Sequence, residues 1–190
     1  MDNMKNLILD KAKERAERFG FKKTTMDEIS RDCRISKKTI YDNFADKEDM
    51  FRCLVIRECQ RAMQLLFAQI AGISDPSEKI VQLIKRSIAY FNEEDFITKV
   101  LREDGTDIAL SDRSYKEIVD EKVISLIAEI IRDGKKKGAF REVDEEITAY
   151  AGLKLFEAFS FGRSGPLRQK NEEYYTKALI DFILNGIIKK

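Results

Sequence analysis

The chain has 190 residues, enough for one sizeable core or for a small domain joined to a larger one. Hydrophobic residues make up 43% and charged residues 36%, a balance that suits amphipathic helices with one dry and one charged face. The net charge is only +1 and there are no histidines, so histidine metal ligands, Ser-His-Asp triads and histidine general bases are all excluded.

Two prolines and nine glycines are too few for the regular turns of an all-β chain. The glycines are scattered and form no phosphate-binding loop. No constellation of side chains asks for an enzyme, a metal or a cofactor. No apolar run approaches the ~20 residues needed to cross a bilayer. The start, Met1-Asp2-Asn3-Met4-Lys5, has no uninterrupted apolar stretch of the secretory type. Three cysteines, Cys33, Cys53 and Cys59, are odd in number and lack metal-type spacing, which reads as reduced thiols in a cytoplasmic protein. Residues 1–60 hold 14 Lys and Arg against 12 Asp and Glu, an excess too small to establish or exclude nucleic-acid binding.

In chain order, Met4, Ile8, Ala12, Ala16 and Phe19 form one apolar helical stripe, and Gly20 stands where the helix ends. Thr25 with Glu28 three residues on is a capping box for a short second helix with core positions Met26, Ile29 and Cys33. Ser36 caps a third helix that turns Ile40 and Phe44 inward and leaves Lys37, Lys38, Thr39, Tyr41 and Asn43 outside. Asp46 opens a long fourth helix through Phe51, Leu54, Cys59, Leu66 and Ile70, ending near Gly72.

Asp75-Pro76-Ser77-Glu78 starts a fifth helix, and a shorter apolar piece spans Phe96 to Leu101. Residues 104–114 read as a connection. A long helix follows from Tyr115 to about Lys137, ended by Gly138. Asp144 caps another, Gly162 to Pro166 breaks the chain, and a last helix spans roughly Asn171 to Ile188. The predicted fold is all-α, with about nine helices. A three-helix helix-turn-helix domain occupies residues 1–46, and a larger helical bundle occupies 47–190.

The two short helices joined by a tight turn match the mechanics of a helix-turn-helix. Its second helix must expose small polar and basic groups in its N-terminal half, where base edges and phosphates are reached. Ser36, Lys37, Lys38 and Thr39 occupy that half, with Tyr41 and Asn43 a turn further on. Thr25, at a helix N-terminus, can hold a phosphate through its hydroxyl and free amides, and Lys47 can do so by charge.

The string Thr25-x3-Ile29, then Ile35-Ser36-Lys37-Lys38-Thr39-Ile40-Tyr41-x-x-Phe44, then Lys47-Glu48-Asp49 closely resembles the TetR/AcrR family of bacterial transcriptional regulators, over residues 5–55. The resemblance implies double-stranded DNA as partner, contacted by Thr25, Ser36, Lys37, Lys38, Thr39, Tyr41, Asn43 and Lys47. It implies a homodimer, formed through the last two helices, on a palindromic operator. It also implies repression relieved when a small apolar or amphipathic effector enters the larger domain and shifts the fourth helix. Three positions depart from the family pattern. Arg34 replaces the usual turn glycine and would need a left-handed conformation. Asn43 stands where histidine is frequent, and Asp42 where an aromatic is frequent. The Arg34 and Asp42 departures motivate the competing reading of a helical binding protein that has lost its DNA affinity.

Pocket candidates in the larger domain are Phe67, Ser87, Tyr90, Phe91, Phe96, Tyr115 and Phe156, apolar groups with a few polar ones. Apolar surface for a dimer interface is offered by Phe156, Phe159, Phe161, Phe182 and Ile183, with the charges of Lys154 and Glu157 limiting how dry that face can be.

Overall fold

The computed structural model describes residues 3–92, 96–101, 114–160 and 171–189. These form nine helices: α1 (Asn3–Phe19), α2 (Met26–Cys33), α3 (Lys37–Tyr41), α4 (Lys47–Ile70), α5 (Pro76–Asn92), α6 (Phe96–Leu101), α7 (Ser114–Lys136), α8 (Glu145–Ser160) and α9 (Glu172–Ile187). The all-α prediction holds among the described residues, and no helix there is long and apolar enough to cross a membrane. Phe161, the break at 162–166 and residues 104–113 of the expected connection lie outside the described residues.

Capping side chains set the helix starts, two of them, Asp46 and Asp144, read from sequence. Asp46 Oδ1 accepts from Asp49 N at 2.7 Å, Asp144 Oδ1 from Ile147 N at 2.8 Å, and Asn171 Oδ1 from Tyr174 N at 2.9 Å. Each satisfies one of the amides a helix N-terminus otherwise leaves unpaired. Gly20 and Gly138 adopt positive φ, 82° and 71°, which a residue without Cβ reaches without strain.

The helices divide into two compact units. The first holds α1, α2, α3, residues 47–60 of α4, and α6. Its core is Ile8, Leu9, Ala12, Ile29, Ile40, Phe44, Met50, Phe51 and Leu54. Phe21 meets Phe51 edge to face, with ring centroids 4.5 Å apart. Phe19, expected on the buried stripe of α1, is instead 46% exposed, because Phe21 takes the core position beyond the Gly20 turn. The guanidinium groups of Arg15 and Arg18 lie over the Phe19 ring at 5.8 and 5.0 Å.

This division falls within α4, after Gln60. The reason is local. Met50, Phe51, Leu54 and Val55 of α4 are fully buried in the small core, so the helix cannot be separated from it.

The second unit holds the rest of α4, α5, α7 from Ile118, α8 and α9. Ile80, Ile84, Ile88, Ile131, Phe140, Ala149, Leu179 and Ile187 are among its core residues. Gly134 of α7 lies close against the Phe140 ring. The chain after α7 and the chain after α9 pair as a two-residue bridge, Phe140 with Ile188. Arg141 N donates to Ile187 O at 2.9 Å, and Lys189 N donates to Ala139 O at 3.1 Å.

Candidate nucleic-acid interface

The turn between α2 and α3 is built by backbone geometry alone. Arg34 follows α2 in the left-handed conformation, φ 55° and ψ 41°. Its N–H donates to Arg31 O at 3.1 Å, and Ile35 N donates to Ser30 O at 3.0 Å. This paired closure of a helix C-terminus usually has glycine at the left-handed site. The departure from the family pattern at this position therefore leaves the turn intact and puts the strain into Arg34.

α2 itself starts at a full capping box. Glu28 N donates to Thr25 Oγ1 at 3.3 Å, and Thr25 N donates to Glu28 Oε2 at 3.1 Å. Arg15 of α1 reaches Asp32 and Glu28 at 2.5 and 3.2 Å, tying α1 to α2. These bonds lower the carboxyl pKa of both acids. Glu28 is held down first by the Thr25 hydroxyl and amide, and Asp32 first by the Arg15 guanidinium.

α3 is anchored by Ile40, fully buried, and by Phe44 just beyond it. Its outer face carries the predicted DNA contacts, and most are engaged within the protein. Ser36 Oγ accepts from Thr39 N at 3.1 Å and pairs with the Thr39 hydroxyl at 2.9 Å. Asn43 Nδ2 donates to Thr39 O at 2.7 Å, which turns its amide back along the helix. Lys37 Nζ lies 2.7 Å from Asp27 Oδ1 of α2, both side chains half exposed. The hydrogen bond that the Lys37 ammonium donates to Asp27 holds its pKa above the ordinary value.

Lys38 and Tyr41 stand out from this face, Tyr41 at 48% exposure. Thr25 is exposed, but its hydroxyl is occupied by Glu28. Lys47 is less available than its type suggests. Its ammonium sits 4.3 Å over the Phe21 ring and donates to Lys22 O at 3.3 Å, and burial pushes its pKa down.

Sequence reasoning did not identify Asp27 as part of this face. Asp27 and Lys37 are ten residues apart on different helices, so no helical period links them; only the crossing of α2 and α3 does.

The pocket candidates divide between the two units. Tyr90, Phe91 and Phe156 form a chain of rings in the second unit, with centroids 5.2 and 6.2 Å apart. Ser87 is buried and Phe67 half-buried in the same unit. Phe96 and Tyr115 are buried in the first unit.

Of the interface candidates, Phe156, Phe159 and Ile183 pack against the core of their own unit, whereas Phe182 is 66% exposed. Ile147 and Tyr150 of α8 and Tyr174 of α9 are exposed apolar groups that the sequence reading passed over. Lys154 is held by Asp120 and Glu157 and lies 5.5 Å over the Tyr150 ring. Burial disfavours its charge, but the two carboxylates outweigh that and raise its pKa.

Residues 8–54 match the family model described as bacterial regulatory proteins, tetR family. The HTH-type transcriptional regulator YhgD of Bacillus subtilis is 29% identical over 158 residues, covering 83% of this chain and 82% of that protein. A transcriptional regulator from Saccharomonospora viridis, solved with choline, superposes with TM-score 0.69 at 21% identity over the full length of both chains. AibR, solved with isovaleryl coenzyme A and operator DNA, superposes with TM-score 0.61 at 16% identity, covering 94% of this chain and 96% of that one. The matched segment is the one that builds the α2–α3 turn and its exposed face: residues 8–54 are similar to the DNA-binding region of tetR-family bacterial regulatory proteins, and most of the chain is similar to an HTH-type transcriptional regulator.

Proposed function

We propose that the protein is a cytoplasmic repressor that binds a palindromic operator as a homodimer and releases it when a small apolar or amphipathic molecule occupies the second unit. The observation that carries the reading is the α3 face. Lys38 and Tyr41 project from a short helix whose other polar side chains are held in place by internal bonds. Such preorganisation lowers the entropy lost when a helix docks into the major groove. Thr25, Ser36, Thr39 and Asn43 frame that face, and Lys37 and Lys47 stand at its edges.

Ligand-bound relatives support the effector half of the reading: the Saccharomonospora viridis regulator was solved with choline and AibR with isovaleryl coenzyme A. The aromatic chain Tyr90–Phe91–Phe156, with Ser87 nearby in sequence, is the proposed apolar lining in this protein. Phe182, Tyr174, Tyr150 and Ile147 are the proposed dimer contacts, because exposed aromatic and aliphatic groups on the last two helices lose least by being covered. A ligand acts in this scheme only through its different affinities for the operator-bound and released forms.

The test is selection of bound fragments from fragmented genomic DNA, followed by a salt titration on the winning duplex. Operator binding should weaken by about 0.9 log units per log unit of salt for each phosphate contact. Lys38→Ala should lower operator affinity roughly tenfold, the scale of one base contact. A Lys38→Ala protein that binds the selected operator with unchanged affinity would overturn the assignment of the reading face.

A further inference from the structure

We propose that Asp27 is a specificity-determining residue of the DNA-binding domain: it ties up the Lys37 ammonium at 2.7 Å and thereby suppresses binding to DNA of arbitrary sequence. The proposal rests on α3 being the DNA-reading helix.

Sequence-independent affinity comes almost wholly from cations that displace counterions from phosphates. Lys37 is the first residue of α3, where a lysine is well placed to meet the backbone. Its charge is already compensated by a carboxylate that lies in the first turn of α2 and is itself half exposed. The raised Lys37 pKa has the same origin.

An exposed pair of this kind is weak in water, so a phosphate could draw Lys37 away. That would leave the Asp27 carboxylate facing the DNA backbone with no cation beside it. Either way Asp27 penalises phosphate contact at the edge of the reading face. A nonspecific complex has little besides phosphate contacts, so Lys37 must leave Asp27 there and the penalty is incurred in full, whereas an operator complex docked through Lys38 and Tyr41 leaves the Lys37–Asp27 pair closed. An operator complex adds base contacts from the Lys38 and Tyr41 side, which Asp27 does not touch. The consequence is a larger ratio of operator to random-sequence affinity.

The test compares the full-length wild type with Asp27→Asn on a 30-base-pair random-sequence duplex and on the selected genomic operator. Asp27→Asn keeps the size of the side chain, and far-UV circular dichroism checks the helix content. The expected result is that affinity for the random duplex rises at least fivefold and rises less for the operator. The salt slope on random DNA should steepen by about 0.9 per protomer, one phosphate contact. Adding Lys37→Met to Asp27→Asn should return that slope to the wild-type value, since the gained contact is the ammonium itself. Unchanged affinity for random DNA, or an equal gain on both duplexes, overturns the proposal while leaving DNA binding intact. A wild type that shows no salt-sensitive binding to either duplex overturns the DNA-reading assignment and the proposal together.

Discussion

Arg57 and Glu58 are neighbours in sequence, both are buried, and their side chains meet at 3.0 Å. Adjacent residues on a helix ordinarily point apart, so the contact requires both to bend into one seam. α1 supplies the rest of that seam. Asp10 lies 2.7 Å from Arg57, Asn6 O accepts from the Arg57 guanidinium at 3.2 Å, and Lys13 lies 2.8 Å from Glu58. The Lys13 ammonium also lies 6.0 Å over the Phe96 ring of α6. One polar stripe of α1 thus registers α4 and α6 against the small core.

Glu58→Ala should therefore be costly, because it removes an acid shared by Arg57 and Lys13 and leaves Arg57 in a buried seam. Breaking a buried pair in this way costs about 3–5 kcal/mol. Asp10→Ala removes a half-exposed partner and should cost about 1 kcal/mol or less. Urea denaturation of the two variants checks the ranking, and equal losses would show that the seam is solvated.

The left-handed Arg34 predicts the opposite sign. A non-glycine residue in that conformation carries about 1–2 kcal/mol of strain, part of which glycine returns through its freer unfolded chain. Arg34→Gly should raise stability by about 0.5–1 kcal/mol, read as a higher Tm. The turn was anticipated from the sequence because Arg34 occupies the usual glycine site, and the structure resolves the conflict by keeping the turn.

Acid should loosen the α1–α2 clasp before neutral or mildly acidic pH does. Glu28 and Asp32 both titrate below their ordinary range in the folded chain. A group depressed on folding contributes stability above its unfolded pKa and loses it as pH falls through the folded one. The contribution is thus complete above the usual carboxylate range, near pH 4, and fades below it. Carboxyl NMR titration of Arg15→Met should show both acids shifted upward, Asp32 the more, since Arg15 is its leading partner.

The capping residues, the helix ends and the buried faces of α2 and α3 were legible in the sequence because each is a local rule: a side chain bonds an amide three residues away, or an apolar residue recurs every turn. Arg57 and Glu58 were not legible, because a charge is read as solvated unless its partners are known, and those partners sit about 50 residues earlier. Phe156 and Phe159 of α8 could be read either as core or as interface from sequence alone; they are half-buried against their own core, while Ile147 and Tyr150 of the same helix are exposed.

Gly134 owes its identity to Phe140. A Cβ on residue 134 would come within 2.8 Å of Phe140 Cγ and nearer still to two other ring carbons. Gly134→Ala should cost about 1–3 kcal/mol by overpacking, although alanine is the better helix former. Phe140→Leu added to Gly134→Ala should recover part of that loss in thermal denaturation, whereas additive losses would place the damage elsewhere.

The pairing of Phe140 with Ile188 changes how the end of α9 can open. A terminal helical turn normally frays one residue at a time. Here Arg141 N and Lys189 N bond across to the other segment, and Arg141 Nε donates to Gly186 O at 2.7 Å, so unwinding α9 must also release the segment after α7 and bare both Phe140 and Ile187. Two stretches almost fifty residues apart in sequence then share one opening event. Hydrogen exchange should show it: the amides of Arg141, Ile188 and Lys189 should exchange with a common free energy and a common denaturant dependence. Separate values would mean that the tail of the chain breathes on its own.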